Sequence, residues 1–120
     1  MLEIKKEMVL LELQRHVGRE NGIHVRDLVS RITGQLVNGE PLERKVRELV
    51  AELRRDGHKV CAHPADGYFI AADHTELMAT CRFLLERANS TTGIVAELLN
   101  RPAPDLYAQL GVTPPERPAR

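Results

Sequence analysis

The sequence is poor in aromatic residues and has no tryptophan: two tyrosines and two phenylalanines make up 3% of 120 residues. Proteins that bind single-stranded nucleic acid by stacking need several exposed aromatic side chains. Tyr68 and Phe69 are adjacent, and on one β-strand they point to opposite faces. We therefore do not expect recognition of single strands by stacking.

Long hydrophobic runs are also lacking. No apolar run approaches the ~20 residues of a membrane-spanning helix, and the first residues do not have the pattern of a secretory signal peptide. The two cysteines, Cys61 and Cys81, fit a reducing compartment, although a disulfide between them stays open at this point. We therefore expect a cytoplasmic protein with no membrane partner.

Motifs of catalysis are missing as well. The sequence contains no glycine-rich phosphate loop, nucleophile elbow or paired-carboxylate motif, so we expect a protein that is not an enzyme and needs no cofactor. Metal-ligand residue types lie close together at His58, Cys61, His63, His74 and Cys81. Zinc sites usually repeat C-x2-C or H-x3-H pairs, and neither occurs, so we expect no metal.

The charges cancel overall but are unevenly spread, since the chain has 17 basic and 17 acidic residues. Residues 15–60 hold ten basic and seven acidic residues, a net charge of +3, whereas residues 61–100 hold two basic and five acidic, a net charge of −3. The basic part is the candidate for contact with a polyanion. Dedicated DNA-binding domains are often more basic, so a protein partner stays open as an alternative.

Within the basic part, residues 42–56 have the periodicity of an amphipathic helix. At 100° per residue the apolar face consists of Leu42, Val46, Leu49, Val50 and Leu53, and the opposite face carries Arg44, Arg47 and Arg55 with Arg54 beside them. Pro41 in the first turn and Gly57 after the last are typical helix boundaries. A solvated surface helix is the alternative interpretation of these charges.

A β-hairpin is predicted directly after this helix. Residues 59–63 and 68–71 favour strands, and residues 64–67 (PADG) favour a turn. The other predicted elements are helices over residues 3–17, 25–33, 74–89 and 94–99, a short third strand at residues 22–24, a loop over residues 35–40 and a break at residues 90–93. A Pro-rich tail covers residues 101–120, and its last dozen residues are predicted to be extended or disordered.

This order of elements resembles the winged helix-turn-helix family over about residues 3–72. The most specific part is residues 44–57 (RKVRELVAELRRDG) together with residues 67–71 (GYFIA), and it is most similar to small winged-helix proteins of bacteriophages and other mobile elements. The resemblance implies a mainly α fold with a small antiparallel β-hairpin (α+β). It also implies a winged-helix domain over residues 1–72 with a helical extension over residues 73–100.

In that family the third helix enters the major groove of duplex DNA and the hairpin contacts the flanking backbone. The base-reading candidates that the resemblance implies are Glu43, Arg44, Arg47 and Glu48. The phosphate-binding candidates that it implies are Arg26, Arg31, Lys45, Arg54, Arg55 and Lys59. The hairpin tip departs from the family pattern, because residues 64–67 contain an acid, Asp66, and no Arg or Lys.

The implied function is that of a duplex DNA-binding protein, a regulator or replication accessory of a phage or mobile element. The alternative is a protein-interaction winged helix, such as a phage-encoded inhibitor of a host system. The C-terminal helices have apolar residues on two sides, more than a small domain can bury. We therefore expect a homodimer whose interface is formed by Phe83, Ile94, Leu98 and Leu99.

Overall fold

A computed structural model describes residues 3–35, 39–100, 102 and 106–115. Its elements are α1 (Lys6–Leu13), a 3-10 turn (Arg19–Asn21), α2 (Val25–Thr33), α3 (Glu40–Arg55), β1 (Val60–His63), β2 (Gly67–Ile70), α4 (His74–Leu99) and α5 (Leu106–Leu110). The predicted class, mainly α with a small antiparallel sheet, is confirmed. No helix in these ranges is long and apolar enough to cross a membrane.

The chain divides into two compact units, Met1–Cys81 and Arg82–Arg120, and α4 runs through the boundary. In the first unit, α1, α2 and α3 pack against one another. Their buried residues are Val9, Leu13, Leu28, Val29, Val46, Leu49, Val50 and Leu53. Each fully buried aliphatic side chain contributes about 1.5–3 kcal/mol, so this core fixes the rotation of α3 and turns its opposite face outward.

The bounds of α2 and α3 agree closely with the prediction. α2 covers the predicted residues 25–33 and ends at Gly34, whose φ of 72° is in the left-handed region that glycine adopts readily. α3 begins two residues earlier than predicted, at Glu40, with Pro41 in its first turn. Residues 36–38 of the predicted loop lie outside the described residues.

The hairpin pairs β1 with β2 in antiparallel register, Cys61 opposite Phe69. The predicted third strand is present as a single bridge, in which Ile23 and Tyr68 exchange two backbone hydrogen bonds of 2.8 Å. Side chains alternate along the strands: Val60, Tyr68 and Ile70 pack against the helical core. Cys61 and Phe69 are buried as well, and the Thr80 side chain of α4 hydrogen-bonds to Cys61.

The first helix is shorter than the predicted 3–17, because the residues after Leu13 bind the edge of β2 instead. Ile70 donates its backbone N–H to the carbonyl of His16 at 2.8 Å, and the Gly18 N–H donates to the carbonyl of Ile70 at 2.8 Å. Val17 forms a parallel bridge with Ile70. A contact with a strand some fifty residues later therefore ends the helix.

The predicted break at residues 90–93 is wrong, since α4 is continuous from His74 to Leu99. The hydroxyls of Thr91 and Thr92 donate to the carbonyls of Arg87 and Ala88 at 3.0 and 2.9 Å, within the helix. The fourth residue of the segment, Gly93, costs only about 1 kcal/mol in a helix interior. The helix therefore continues through this segment, because the threonine hydroxyls bond within the helix and the single glycine costs too little to interrupt it.

The predicted inward face of α4, which included Cys81, Leu84 and Leu85, is also wrong. Those three side chains are exposed, whereas Thr80 is buried and Phe83, predicted to point outward, is half-buried. Hydrophobic periodicity selects the most apolar side of a helix. On α4 the buried residue is instead Thr80, whose side chain interacts with Cys61 of β1.

The Pro-rich tail contains a short helix that was not predicted. α5 covers Leu106–Leu110, and within the second unit Leu106 is buried and Tyr107 half-buried. The prolines of the tail predict irregular backbone, but none of them falls between Leu106 and Leu110. Residues 116–120 lie outside the described part of the chain.

Candidate nucleic-acid interface

The outer face of α3 is charged and open to solvent. Its exposed charged residues are Arg44, Lys45, Arg47, Glu48, Arg54 and Arg55. Because Val46 and its buried neighbours fix the rotation of the helix, Arg44 and Arg55 project away from the core. These two arginines are eleven positions apart, about 16 Å along the axis at 1.5 Å per residue. The face is thus a row of charge that is long enough to lie along a groove.

Arg47 is held by two glutamates of its own helix. Its guanidinium lies 3.4 Å from the Glu40 carboxylate and 3.6 Å from that of Glu43. Glu43 is half-buried, so its carboxylate has little freedom to turn toward a base. Glu43 therefore orients the guanidinium of Arg47. Arg44, in contrast, forms no ion pair within the described ranges.

Two cationic groups near the end of α3 have structural contacts. Arg54 donates its Nε–H to the carbonyl of Val60 at 2.8 Å, which ties the helix to β1. Lys6 of α1 lies 2.8 Å from the Asp56 carboxylate, and this ion pair lowers the pKa of Asp56. Arg55 and Lys59 are exposed and form no ion pair with any residue that the structure describes. Of the predicted phosphate contacts at this end, these two have the fewest competing partners.

The other two predicted phosphate contacts, Arg26 and Arg31, are exposed on α2. Arg31 lines an open cleft of about 460 Å³ beside this helix. The cleft is lined by His16, Gly22, Ile23, His24, Asp27, Ser30 and Arg31. Because Asp27 shares the wall with Arg31, the cleft itself has mixed charge.

The acidic hairpin tip is neutralised by a residue that the sequence analysis did not select. Arg19 of the 3-10 turn lies 2.5 Å from the Asp66 carboxylate, and His63 Nδ1 lies 3.6 Å from it. The hydrogen bond from Arg19 holds the pKa of Asp66 below its ordinary range. Arg19 and Asp66 are 47 positions apart, a separation that no local pattern records.

The second unit has an exposed apolar surface that includes three predicted interface residues. Leu98 is 79% exposed, Ile94 is 57% exposed and Leu99 is 36% exposed. An apolar pocket of about 170 Å³ lies in the same unit, lined by Thr91, Thr92, Val95, Leu106, Tyr107, Leu110 and Val112. Phe83, the fourth predicted residue, is half-buried, so it offers less surface to a partner than the other three.

The two cysteines are free thiols in different surroundings. Cys61 is fully buried, and burial raises its pKa against the opposing effect of the hydrogen bond with Thr80. Cys81 is exposed. Among the described residues, no three His, Cys, Asp or Glu side chains are grouped as a metal site would require.

No family model, curated protein or solved structure matches this chain.

Proposed function

We propose that this chain is a winged helix-turn-helix protein that binds duplex DNA through α3. The observation that carries the proposal is the outward row of arginines on a helix whose rotation is fixed by its buried face. The order of elements supports the proposal, because α3 is followed directly by the hairpin and Ile23 forms an isolated bridge with Tyr68 of β2. In winged helices such a helix occupies the major groove.

The arginines on α3 differ in their proposed roles. Groove-inserted helices reach base edges with their first turns, so Arg44 and Arg47 read bases, with Glu48 beside them. The ion pairs with Glu40 and Glu43 limit the rotamers of Arg47 before it meets a base. Backbone phosphates are bound by the remaining basic candidates, which are Arg26, Arg31, Lys45, Arg54, Arg55 and Lys59.

Duplex binding across a salt series tests the proposal. With about four to six phosphates neutralised per protomer, the logarithm of the binding constant falls with the logarithm of salt at a slope of about −4 to −5. A preferred duplex is first selected from a random pool. Absence of duplex binding in low salt would refute the DNA-binding function.

Three variants separate base reading from phosphate binding. Arg44→Ala costs about 1–3 kcal/mol on the preferred duplex and reduces sequence preference, whereas Arg55→Ala weakens binding equally on all duplexes. Arg82→Ala, an exposed arginine on α4, is the control and leaves affinity unchanged. Equal losses from Arg44→Ala and Arg55→Ala on every duplex would contradict the assignment of base reading to the first turns of α3.

We also propose a homodimer formed through the second unit, by Ile94, Leu98 and Leu99 with a smaller contribution from Phe83. A single recognition helix reads few base pairs, and two-fold dimers double the site. Light scattering at tens of micromolar then gives twice the mass of 13.5 kDa. Leu98→Asp yields a monomer, and Glu97→Gln on the same helix leaves the dimer intact; a monomeric wild-type chain would remove this part of the proposal.

The second candidate function is that of a cytoplasmic protein-interaction module without catalytic activity, such as a phage-encoded inhibitor of a host protein. The exposed apolar surface of the second unit favours it, with Leu98 79% and Leu85 65% exposed. The salt series distinguishes the two candidates, because a protein-interaction module shows no steep dependence of duplex binding on salt.

A further inference from the structure

The hairpin tip and the segment before α2 form one continuous surface. A Cβ placed on Gly22 would lie closer than 3.0 Å to the carbonyl oxygen of Asp66, and one on Gly67 would lie as close to the carbonyl oxygen of Ile23. Such distances leave no room between the two backbones. The surface that a ligand meets at the tip is therefore built from both segments.

Arg19 is anchored in this surface at two points. Its backbone N–H donates to Glu76 Oε2 at 3.1 Å, and the other oxygen of Glu76 accepts the N–H of Ala72 at 3.0 Å. Its side-chain Nε–H donates to Asp66 Oδ2 at 2.5 Å. The guanidinium is thus fixed at its inner edge, while its side chain remains 50% exposed.

The outer edge of this guanidinium is available to a ligand. Over the described ranges, its two terminal nitrogens make no hydrogen bond. An arginine held through Nε presents two further donors in a planar fork that matches the oxygens of a phosphate. His63 and His24 also act electrostatically on Asp66, so cationic or neutral groups surround the one acid of the tip.

We propose that Arg19 is the phosphate-contacting residue of the hairpin surface, with Asp66 as the residue that positions it. The ligand is a backbone phosphate of duplex DNA, so the inference rests on the proposed function. A tip without Arg or Lys of its own then contacts the backbone through a residue from the 3-10 turn. The carboxylate of Asp66 serves to orient a cation rather than to repel the DNA.

The test compares salt slopes of duplex binding for the full-length chain and four variants. Arg19→Gln removes one neutralised phosphate, so the slope becomes shallower by about 0.9, and affinity falls about five-fold at 0.15 M salt. Arg19→Lys keeps the charge and therefore the wild-type slope, while losing affinity because the fork is gone. Asp66→Asn also keeps the slope, and Arg82→Gln on α4 is the control that changes neither quantity.

A purely structural role for Arg19 predicts a different set of results. In that case Arg19→Gln and Asp66→Asn lower the urea midpoint of unfolding by similar amounts, and both retain the wild-type salt slope. An unchanged slope for Arg19→Gln, with Arg44→Ala still weakening binding, overturns this inference and leaves the proposed function standing. Absence of duplex binding by the wild-type chain overturns both.

Discussion

Glycine-to-alanine substitutions can separate backbone strain from steric clash at the junction of the hairpin and the 3-10 turn. Gly22 and Gly67 lie at this junction, and Gly34 at the end of α2 serves as the reference. Gly34 has a φ of 72° and no atom within 4 Å of a Cβ built on it, so Gly34→Ala introduces backbone strain alone. Gly22 has a φ of −58°, but its Cβ would collide with the Asp66 carbonyl, so Gly22→Ala introduces a clash alone. Gly67 combines a φ of 80° with a clash against Ile23.

The expected losses follow from these differences. Left-handed backbone costs alanine about 1–2 kcal/mol, and the lower entropy of the unfolded chain offsets about 0.4–1 kcal/mol, so Gly34→Ala lowers the free energy of unfolding by about 1 kcal/mol. Overpacking against a backbone atom costs about 1–3 kcal/mol, which is the loss expected for Gly22→Ala. Gly67→Ala adds strain, a clash and the loss of the two Ile23–Tyr68 hydrogen bonds, about 1 kcal/mol for each bond, for a total of about 4–6 kcal/mol.

Urea denaturation followed by circular dichroism measures all three losses on one scale. A total stability of about 5–15 kcal/mol is typical of a domain, so Gly67→Ala removes a large share of it. We expect the loss in free energy of unfolding to decrease in the order Gly67→Ala, Gly22→Ala, Gly34→Ala. This order would support the close packing at the junction. If Gly22→Ala and Gly67→Ala cost no more than Gly34→Ala, the close packing of the tip against residues 22 and 23 is refuted.

Two further predictions concern titration and thiol reactivity. Hydrogen-bonded ion pairs lower the pKa of Asp56 and Asp66 in the folded chain below the ordinary value of 3.8. Their stabilisation is therefore complete above about pH 5 and is lost as the pH falls through the lowered values. Thermal unfolding between pH 7 and 2 measures this, and an unchanged acid slope in Asp66→Asn would count against the Arg19 contact. Exposed Cys81 reacts with a thiol reagent in the native chain, whereas buried Cys61 reacts only on unfolding. A thiol that reacts rapidly in native Cys81→Ser would contradict the burial of Cys61.

Local patterns predicted those parts of the fold that depend on local physics. α2 and α3 follow from hydrophobic periodicity and from their boundary residues, because the same apolar faces that define the pattern are buried in the core. The hairpin follows from strand-forming residues around a glycine-containing turn. The exposure of Arg44 and Arg55 then needs no further information, since they lie opposite the buried residues of one helix.

Two of the errors arose where contacts distant in sequence decide the outcome, whereas the break at residues 90–93 and the missed α5 were local misreadings. The end of α1 depends on a bridge from Val17 to Ile70, and the buried residue of α4, Thr80, interacts with Cys61 of β1. Both contacts join residues that no helical or strand period relates. The same reason explains why Arg19 was not selected as a candidate, because its partner Asp66 is distant along the chain.

The number of basic residues overestimates the free cationic charge of α3, because some of these residues form hydrogen bonds and ion pairs within the protein. Arg54 is bound to a backbone carbonyl and Arg47 to two glutamates, so part of the cationic charge of α3 is already engaged within the protein. At the hairpin the effect on net charge is the opposite, because Arg19 cancels the negative charge of Asp66. The free cationic charge on α3 is therefore smaller, and the hairpin tip is neutral rather than acidic, compared with what the residue counts indicate. On the proposed function, phosphate contacts from both α3 and Arg19 would orient a duplex better than contacts from a single helix, because phosphate contacts set the register and orientation of a protein on the duplex.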